Sequence, residues 1–425
     1  MEQTPKANRV HIGFFGRCNA GKSTLINMLT DQPVSLVSEV AGTTTDPVSK
    51  SMEILPLGPV VITDTAGIDD TSELGALRIE KSEEIIKKIN LAVYVLRNDE
   101  APTADDMMWL NKLKQNNVPI ALFINKINAF DSESARDNDS NGNDTNLNYV
   151  DAYPDLSAIA TVVGSTDFTS NRDRLTLLDL LGGLTPLDVE GEQSLLQGLV
   201  DPGDTIILVC PIDSAAPKGR LILPQVQTIR EILDHKGLAL VCQTEELPTM
   251  LSKLSQKPKL VITDSQAFEA VNALTPADIA LTSFSILMAR FKGKLQDLVT
   301  GVKALNNLKP GARVLISEGC THRRQCDDIG TVKIPMWLKK KGHRDLQLEF
   351  TSGGAFPKNV SGYDLIIHCG ACMLTRREVL RRIDCAVVQG TPIVNYGVLI
   401  ASLHGILERA ISPFVDELDR KGFEC

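Results

Sequence analysis

Two short clusters in the last third of the chain combine the residue types that bind soft metals. Cys320 and His322 lie in EGCTHRR; His368, Cys369 and Cys372 lie in YDLIIHCGACMLTRR. Each cluster follows an apolar run, ARVLIS or YDLII, that reads as a buried strand. If the two strands are parallel neighbours, their loops meet at the carboxyl edge of one sheet, where α/β folds place ligands. Three thiolates with a histidine suit tetrahedral zinc. Three cysteines without a fourth suit a [4Fe–4S] cluster with one iron open to exchange. A metal-free set of structural thiols is the third reading, because ligand type alone does not separate the metals. Thr375 and Glu378 form a capping-box pattern, so a helix beginning there would aim its positive end at the CGAC loop and lower the thiolate pKa values.

A second constellation stands near the other end. Gly16 to Ser23 reads GRCNAGKS between a predicted strand and a predicted helix, the G-x-x-x-x-G-K-[ST] pattern. Backbone N–H groups of such a loop surround phosphates, and the helix N-terminus adds partial positive charge. Gly16, Asn19, Ala20, Gly21, Lys22, Ser23 and Thr24 are the expected binding set. Lys22 should reach the β- and γ-phosphates, and Ser23 should hold Mg²⁺. AGTTTD follows with Thr43 and Thr44, the latter the switch threonine that reaches Mg²⁺ beside a triphosphate. Lys22 and Thr44 are thus the catalytic candidates. In DTAG, Asp64 would bind Mg²⁺ through water and the Gly67 N–H would meet the γ-phosphate. NKIN places Asn125, Lys126 and Asn128 where a guanine-recognition NKxD belongs, and GST (Gly164 to Thr166) is a candidate for the closing guanine loop.

The order of these motifs resembles the translation-factor-like GTPases of the Era and TrmE type. Ile68 stands where Ras-like proteins carry a water-orienting glutamine, so slow intrinsic hydrolysis is expected. Asn19 matches the asparagine that helps hold K⁺ in potassium-dependent relatives, and is equally a common turn former. Asn128 departs from the pattern. Guanine offers two donors to the family's aspartate, whereas an asparagine meets one of them with its own NH₂. Weakened GTP affinity and a shift toward xanthosine triphosphate are expected.

These loops need elements to hold them. HIGFF, PVVIT, LAVYVL and ALFIN read as buried parallel strands, and KSTLINMLT, ELGALRIEKSEEIIKKI and DDMMWLNKLKQ as the helices between them. Residues 131–148 are polar enough for a disordered insertion. LGGLTPLDVEGEQS reads as a linker. A second α/β unit runs through TIILVC, a helix around LPQVQTIREILDHK, GLALVC and KLVITD; a third begins near PADIALTSFS. No tandem repeat is evident. The expected domains are 1–184, 190–275 and 276–425, all α/β.

Composition excludes several function classes. The 425 residues are 43% hydrophobic and 23% charged, with net charge −9, which opposes a broad nucleic-acid footprint. The opening MEQTPKANRV lacks the apolar core of a signal peptide, and no apolar run approaches the roughly 20 residues of a membrane helix. A cytoplasmic location is expected, with neither membrane nor nucleic acid as partner. Nine cysteines in such a chain read as thiols or metal ligands rather than disulfides. Cys210, Cys242 and Cys385 sit in apolar segments as core residues; Cys326 is set aside as a spare.

The pair CTH and HCGAC, joined to an N-terminal GTPase, fits the CxH…HCxxC signature of the HydF family, GTPases that mature [FeFe]-hydrogenase. PIDSAAPKGRLILPQVQTIREILD and GTPIVNYGVLIAS are similar to that family as well. The resemblance implies a GTPase domain, a dimerisation domain and a cluster domain. It implies that Cys320, Cys369 and Cys372 ligate a [4Fe–4S] cluster, with His322 and His368 as candidates near the exchangeable fourth position. It further implies GTP, Mg²⁺ and K⁺ as cofactors, and a scaffold that carries a diiron precursor with CO and cyanide ligands to apo-hydrogenase. HydE and HydG, the radical-SAM maturases, would be partners, as would a second copy of the chain in a dimer or tetramer. Arg323, Arg324, Arg376 and Arg377 flank the ligand loops and could surround an anionic precursor, though each also reads as an ordinary solvated arginine. Two other readings stay open: a TrmE-type tRNA-modification GTPase, opposed by the acidic balance and by a GFEC terminus without a C-x-G-K end, and a zinc-stabilised GTPase assembly factor.

Overall fold

A computed structural model describes residues 9–30, 48–54, 57–65, 82–126, 152–166, 171–184, 194–212, 221–319 and 328–419. They fall into two compact units, 1–192 and 193–425.

In the first unit the apolar runs become β1 (Val10–Phe15), β3 (Gly58–Asp64), β4 (Leu91–Arg97) and β5 (Ile120–Asn125), nearly every residue of them buried. With β2 (Val48–Ile54) and β6 (Val162–Thr166) they form one sheet in the order β2-β3-β1-β4-β5-β6, parallel except for β2. Separate apolar clusters cover its two faces, one around Leu25 and Leu178 and one around Trp109 and Leu110. Helix Lys22–Thr30 matches the expected KSTLINMLT. Helix Ala104–Gln115 starts on a full capping box between Thr103 and Asp106. Most of the expected ELGALRIEKSEEIIKKI helix and the polar insertion 131–148 lie outside the described residues. The expected linker begins later than its composition suggests, because helix Asn171–Leu184 runs on through LGGL.

The second unit holds two four-stranded parallel sheets. One runs β10-β9-β7-β8, from β7 (Thr205–Val209), β8 (Leu238–Cys242), β9 (Leu260–Thr263) and β10 (Ala280–Ser283). The other runs β12-β11-β13-β14, from β11 (Arg313–Glu318), β12 (Gln347–Ser352), β13 (Leu365–His368) and β14 (Ile393–Asn395). One expectation is corrected here. β10 pairs with β9, so PADIALTSFS completes the second sheet and the boundary lies beyond Ser283, not at 275/276. The two sheets also repeat one winding: the first strand is central, the second lies on one side, and the third and fourth lie on the other. That repeat is architectural, with no sequence period to announce it. A single apolar cluster runs through both sheets, from Leu195 to Leu418.

Candidate functional site

The phosphate loop leaves the carboxyl end of β1. Gly16 has φ of 137°, and a Cβ there would lie 2.5 Å from the Val95 carbonyl oxygen, so only glycine fits. Asn19 and Gly21 also take positive φ, 59° and 103°, which curls the backbone into the turn that the motif implies. Lys22 is buried, and its Nζ donates to the carbonyls of Gly16 at 2.8 Å and Arg17 at 2.7 Å, closing the loop on itself. Asn125, at the end of β5, donates Nδ2 to the Ala20 carbonyl at 3.1 Å, which ties the guanine motif to the phosphate loop. Thr166 ends β6 beside Asn125, so GST stands at the same sheet edge.

Arg17 braces the loop from outside with ion pairs to Glu100 at 2.8 Å and to the fully buried Asp106 at 3.3 Å. Asp106 also accepts from the Tyr94 hydroxyl at 2.9 Å. Nothing in the motif pattern pointed to this brace. Asp64 ends β3 with one carboxylate oxygen, Oδ1, lacking a hydrogen-bond partner among the described residues. Burial raises its pKa and the nearby Lys22 ammonium opposes the rise. An orphaned, partly desolvated carboxylate oxygen beside a phosphate loop fits a Mg²⁺ ligand. Thr43, Thr44, Gly67, Ile68 and Asn128 lie outside the described residues.

The cysteine loop stands at the corresponding edge of the third sheet. β11 and β13 are parallel neighbours, with Ser317 opposite His368, so the two ligand loops leave adjacent strands. This is the switch point of the sheet, where chain connections diverge and leave a crevice. The Cys369 N–H donates to the Ser317 carbonyl at 3.0 Å. The N–H of Gly319, the residue before Cys320, donates to Cys369 Sγ at 3.0 Å, and the Ala371 N–H does so at 3.3 Å. A Cβ on Gly319 would lie 2.6 Å from Leu374 Cγ, so the two loops pack as closely as glycine allows. Cys320, His322, Arg323, Arg324 and Cys326 lie outside the described residues, and no group of three metal-ligating side chains occurs among the described ones.

Two N–H donors aimed at one sulfur, with a second thiol three residues on, suit thiolate ligands of a metal or an iron–sulfur cluster. The expected lowering of the thiol pKa is corrected: burial pushes Cys369 up to about 11 against both donors, and raises Cys372 against the Lys292 charge. Desolvation outweighs the two N–H donors at Cys369 and the Lys292 charge at Cys372. The expected helix does start at Thr375, which caps the Glu378 N–H at 3.4 Å. The return half of the capping box is replaced, because the Glu378 carboxylate turns to Arg381 and Arg382, all at 2.8 Å.

His368 is buried, and both its ring nitrogens are engaged. Nδ1–H donates to the Cys369 carbonyl at 2.9 Å, and Nε2 accepts from Arg382 Nη1 at 3.2 Å. Burial and the guanidinium lower its pKa to about 4. Ligation by His368 would require it to give up one of these bonds. Arg376 donates to the Phe291 carbonyl at 3.2 Å, and burial lowers the pKa of Arg377. Lys292 and Arg382 also touch the loop, through the Cys372 carbonyl and His368, and motif reading missed both; the Glu378–Arg382 spacing of four was the available signal for the second. Cys210 and Cys242 are buried thiols, as expected, and Cys385 is half-buried.

Among known proteins, the 50S ribosome-binding GTPase family matches residues 11–126, the hydrogen maturase F dimerization domain 195–293, and the hydrogen maturase F tetramerization domain 296–413. The tRNA modification GTPase MnmE of Endomicrobium trichonymphae is 32% identical over 121 residues, 28% of this chain and 26% of that protein. GTPase Der of Campylobacter curvus is 34% identical over 114 residues, 27% of this chain and 24% of its own. The chain thus spans about a quarter of the length of these curated relatives. The crystal structure of Aquifex aeolicus Era aligns at 19% identity and TM-score 0.33, covering 55% of this chain and 93% of that one. A GTPase domain followed by both hydrogen maturase F domains accounts for most of the sequence, and the chain belongs to the HydF family.

Proposed function

We propose that the protein is a GTP-dependent scaffold that holds a diiron precursor, with CO and cyanide ligands, beside a [4Fe–4S] cluster and delivers it to apo [FeFe]-hydrogenase. The observation that carries this reading is the Gly319 N–H bond to Cys369 Sγ, which joins the residue preceding Cys320 in the sequence to the HCGAC loop at one sheet edge. Cys320, Cys369 and Cys372 would hold the cluster, and His322 is the remaining histidine candidate for its open corner. When bound, the cluster supplies an iron site to which the cargo attaches. The chain's part is to orient the thiolates through the Gly319 and Ala371 N–H groups and to enclose an anionic cargo in positive charge.

At the nucleotide site Lys22 would bind the β- and γ-phosphates. Ser23, Thr44 and Asp64 would hold Mg²⁺, Asn19 would hold K⁺, and Asn125, Lys126 and Asn128 would hold the base. GTP state would bias domain arrangement or partner release rather than chemistry at the cysteine loop. HydE and HydG would supply the precursor. Self-association follows from the dimerization and tetramerization domains. A homodimer is supported by β8, a sheet edge among the described residues on which Leu238 and Val241 are 57% and 43% exposed. The likeness to MnmE covers 28% of this chain, whereas hydrogen maturase F domains match residues 195–293 and 296–413, which favours the maturation reading over the tRNA reading. No helix among the described residues is long and apolar enough to cross a membrane.

The test is anaerobic reconstitution with iron and sulfide, followed by transfer to apo-hydrogenase. A brown protein with iron–sulfur absorbance, lost in Cys369→Ser, and hydrogenase activity that depends on the loaded protein support the reading. A colourless protein that takes zinc instead overturns it.

A further inference from the structure

Lys292 closes the helix Phe284–Lys292 and is 1% exposed. A buried ammonium is costly unless its hydrogens are taken up. Its Nζ donates to the Cys372 carbonyl at 3.1 Å and to the Leu374 carbonyl at 2.8 Å. Those carbonyls bracket the turn between the second cysteine of the loop and the cap residue Thr375. The same helix touches the loop at two further places. The Phe291 carbonyl accepts from Arg376, and Met288 and Ala289 line a cavity of about 20 Å³ whose other wall includes Cys369 and Ala371. The helix belongs to the dimerization segment and the loop to the tetramerization segment, so Lys292 is a point where one module grips the other.

We propose that Lys292 is a positioning residue for the Cys369–Cys372 loop: its ammonium pins the turn through two carbonyls and places a fixed positive charge beside the thiolates. The charge half of this rests on the reading that the loop holds an iron–sulfur cluster; the positioning half does not. Reduction adds an electron to an anionic, thiolate-held centre, and a buried cation nearby favours the reduced form. The loop is thereby coupled to the helix that the dimerization segment ends on.

The test uses the full-length protein with Lys292→Met, Lys292→Arg and Lys292→Gln. In metal-free protein, amide hydrogen exchange over residues 369–377 should be at least tenfold faster in Lys292→Met and near wild type in Lys292→Arg. In the anaerobically reconstituted protein, a redox titration followed by EPR should show Lys292→Met shifted tenfold toward the oxidised form, about 59 mV lower for a one-electron couple. Lys292→Arg should hold the wild-type midpoint, which a purely structural role would not separate from Met. Unchanged exchange in Lys292→Met overturns the positioning role; an unchanged midpoint overturns the charge role. Should Lys292→Met fail to fold, Lys292→Gln, whose shorter neutral side chain loses both the reach to the two carbonyls and the charge, decides by the same two readings. A wild type that takes up no iron would sink the cluster reading and the charge role with it, and the exchange result would still decide positioning.

Discussion

Arg382 donates to Nε2 of His368 at 3.2 Å, deep behind the cysteine loop. The same guanidinium reaches Glu378 at 2.8 Å and the Gly353 carbonyl at 2.6 Å, and lies 5.2 Å from the centre of the Phe356 ring. With Arg382 fully buried, each of these partners replaces water that the charge has lost. The arrangement fixes the histidine tautomer, so that Nδ1–H holds the Cys369 carbonyl. His368 thus orients the strand end that carries the sulfur.

The first prediction concerns that histidine. His368→Ala should leave iron stoichiometry and the cluster EPR signal unchanged, because both ring nitrogens are taken by the Cys369 carbonyl and Arg382. It should lower stability by about 2 kcal/mol through an unpaired buried guanidinium hydrogen. Urea unfolding and iron analysis check both parts; loss of iron from protein that is still folded would make the residue a ligand after all.

Glu378 gives a pH signature. Two arginines hold its carboxyl below the ordinary 4.5 even though burial alone would raise it. A depressed folded pKa contributes stability that is present above the unfolded value and lost as pH falls through the folded one. Glu378→Gln should therefore cost about 3 kcal/mol at neutral pH. The gap to wild type should close as pH falls below 4.5. Denaturation midpoints across that range provide the check.

At the phosphate loop, Lys22→Ala should reduce GTP hydrolysis by about a hundredfold or more, the usual loss for one electrostatic contact to a transferring phosphoryl group. The folded state should survive, since the Lys22 Nζ bonds to the Gly16 and Arg17 carbonyls lie within the loop itself. Phosphate release with a circular-dichroism control measures the two effects.

Asn128→Asp should strengthen GTP binding about tenfold and reduce any preference for xanthosine triphosphate, because it removes a donor that faces a donor. Equal GTP affinity in both forms, read by nucleotide titration, would dismiss the specificity argument.

Local patterns carried much of this architecture. The phosphate loop needs consecutive residues with fixed chemistry, so GRCNAGKS was readable without any fold. The strands HIGFF and ALFIN were readable because burial on both faces demands unbroken apolar runs. The adjacency of β11 and β13 was readable as a conditional, from the two ligand loops that follow them. Membership of Ala280–Ser283 in the second sheet was not, since pairing with β9 is a distant contact that leaves no local mark. Thiol pKa values were misjudged for the same reason: the helix start at Thr375 is a local signal, whereas the depth of Cys369 is set by packing from across the chain. Lys292 carries no local signal in the sequence, and only its burial distinguishes it.

The apolar cluster that runs from Leu195 to Leu418 carries a thermal consequence. Family boundaries name two modules in residues 195–413, yet their interior is one piece. Where one apolar cluster spans two sheets, neither half can open without exposing the other, and heating should record one cooperative endotherm for the whole block. Scission between Gly293 and Leu295 would strip both fragments of that shared interior, and each would precipitate rather than persist as a free-standing module.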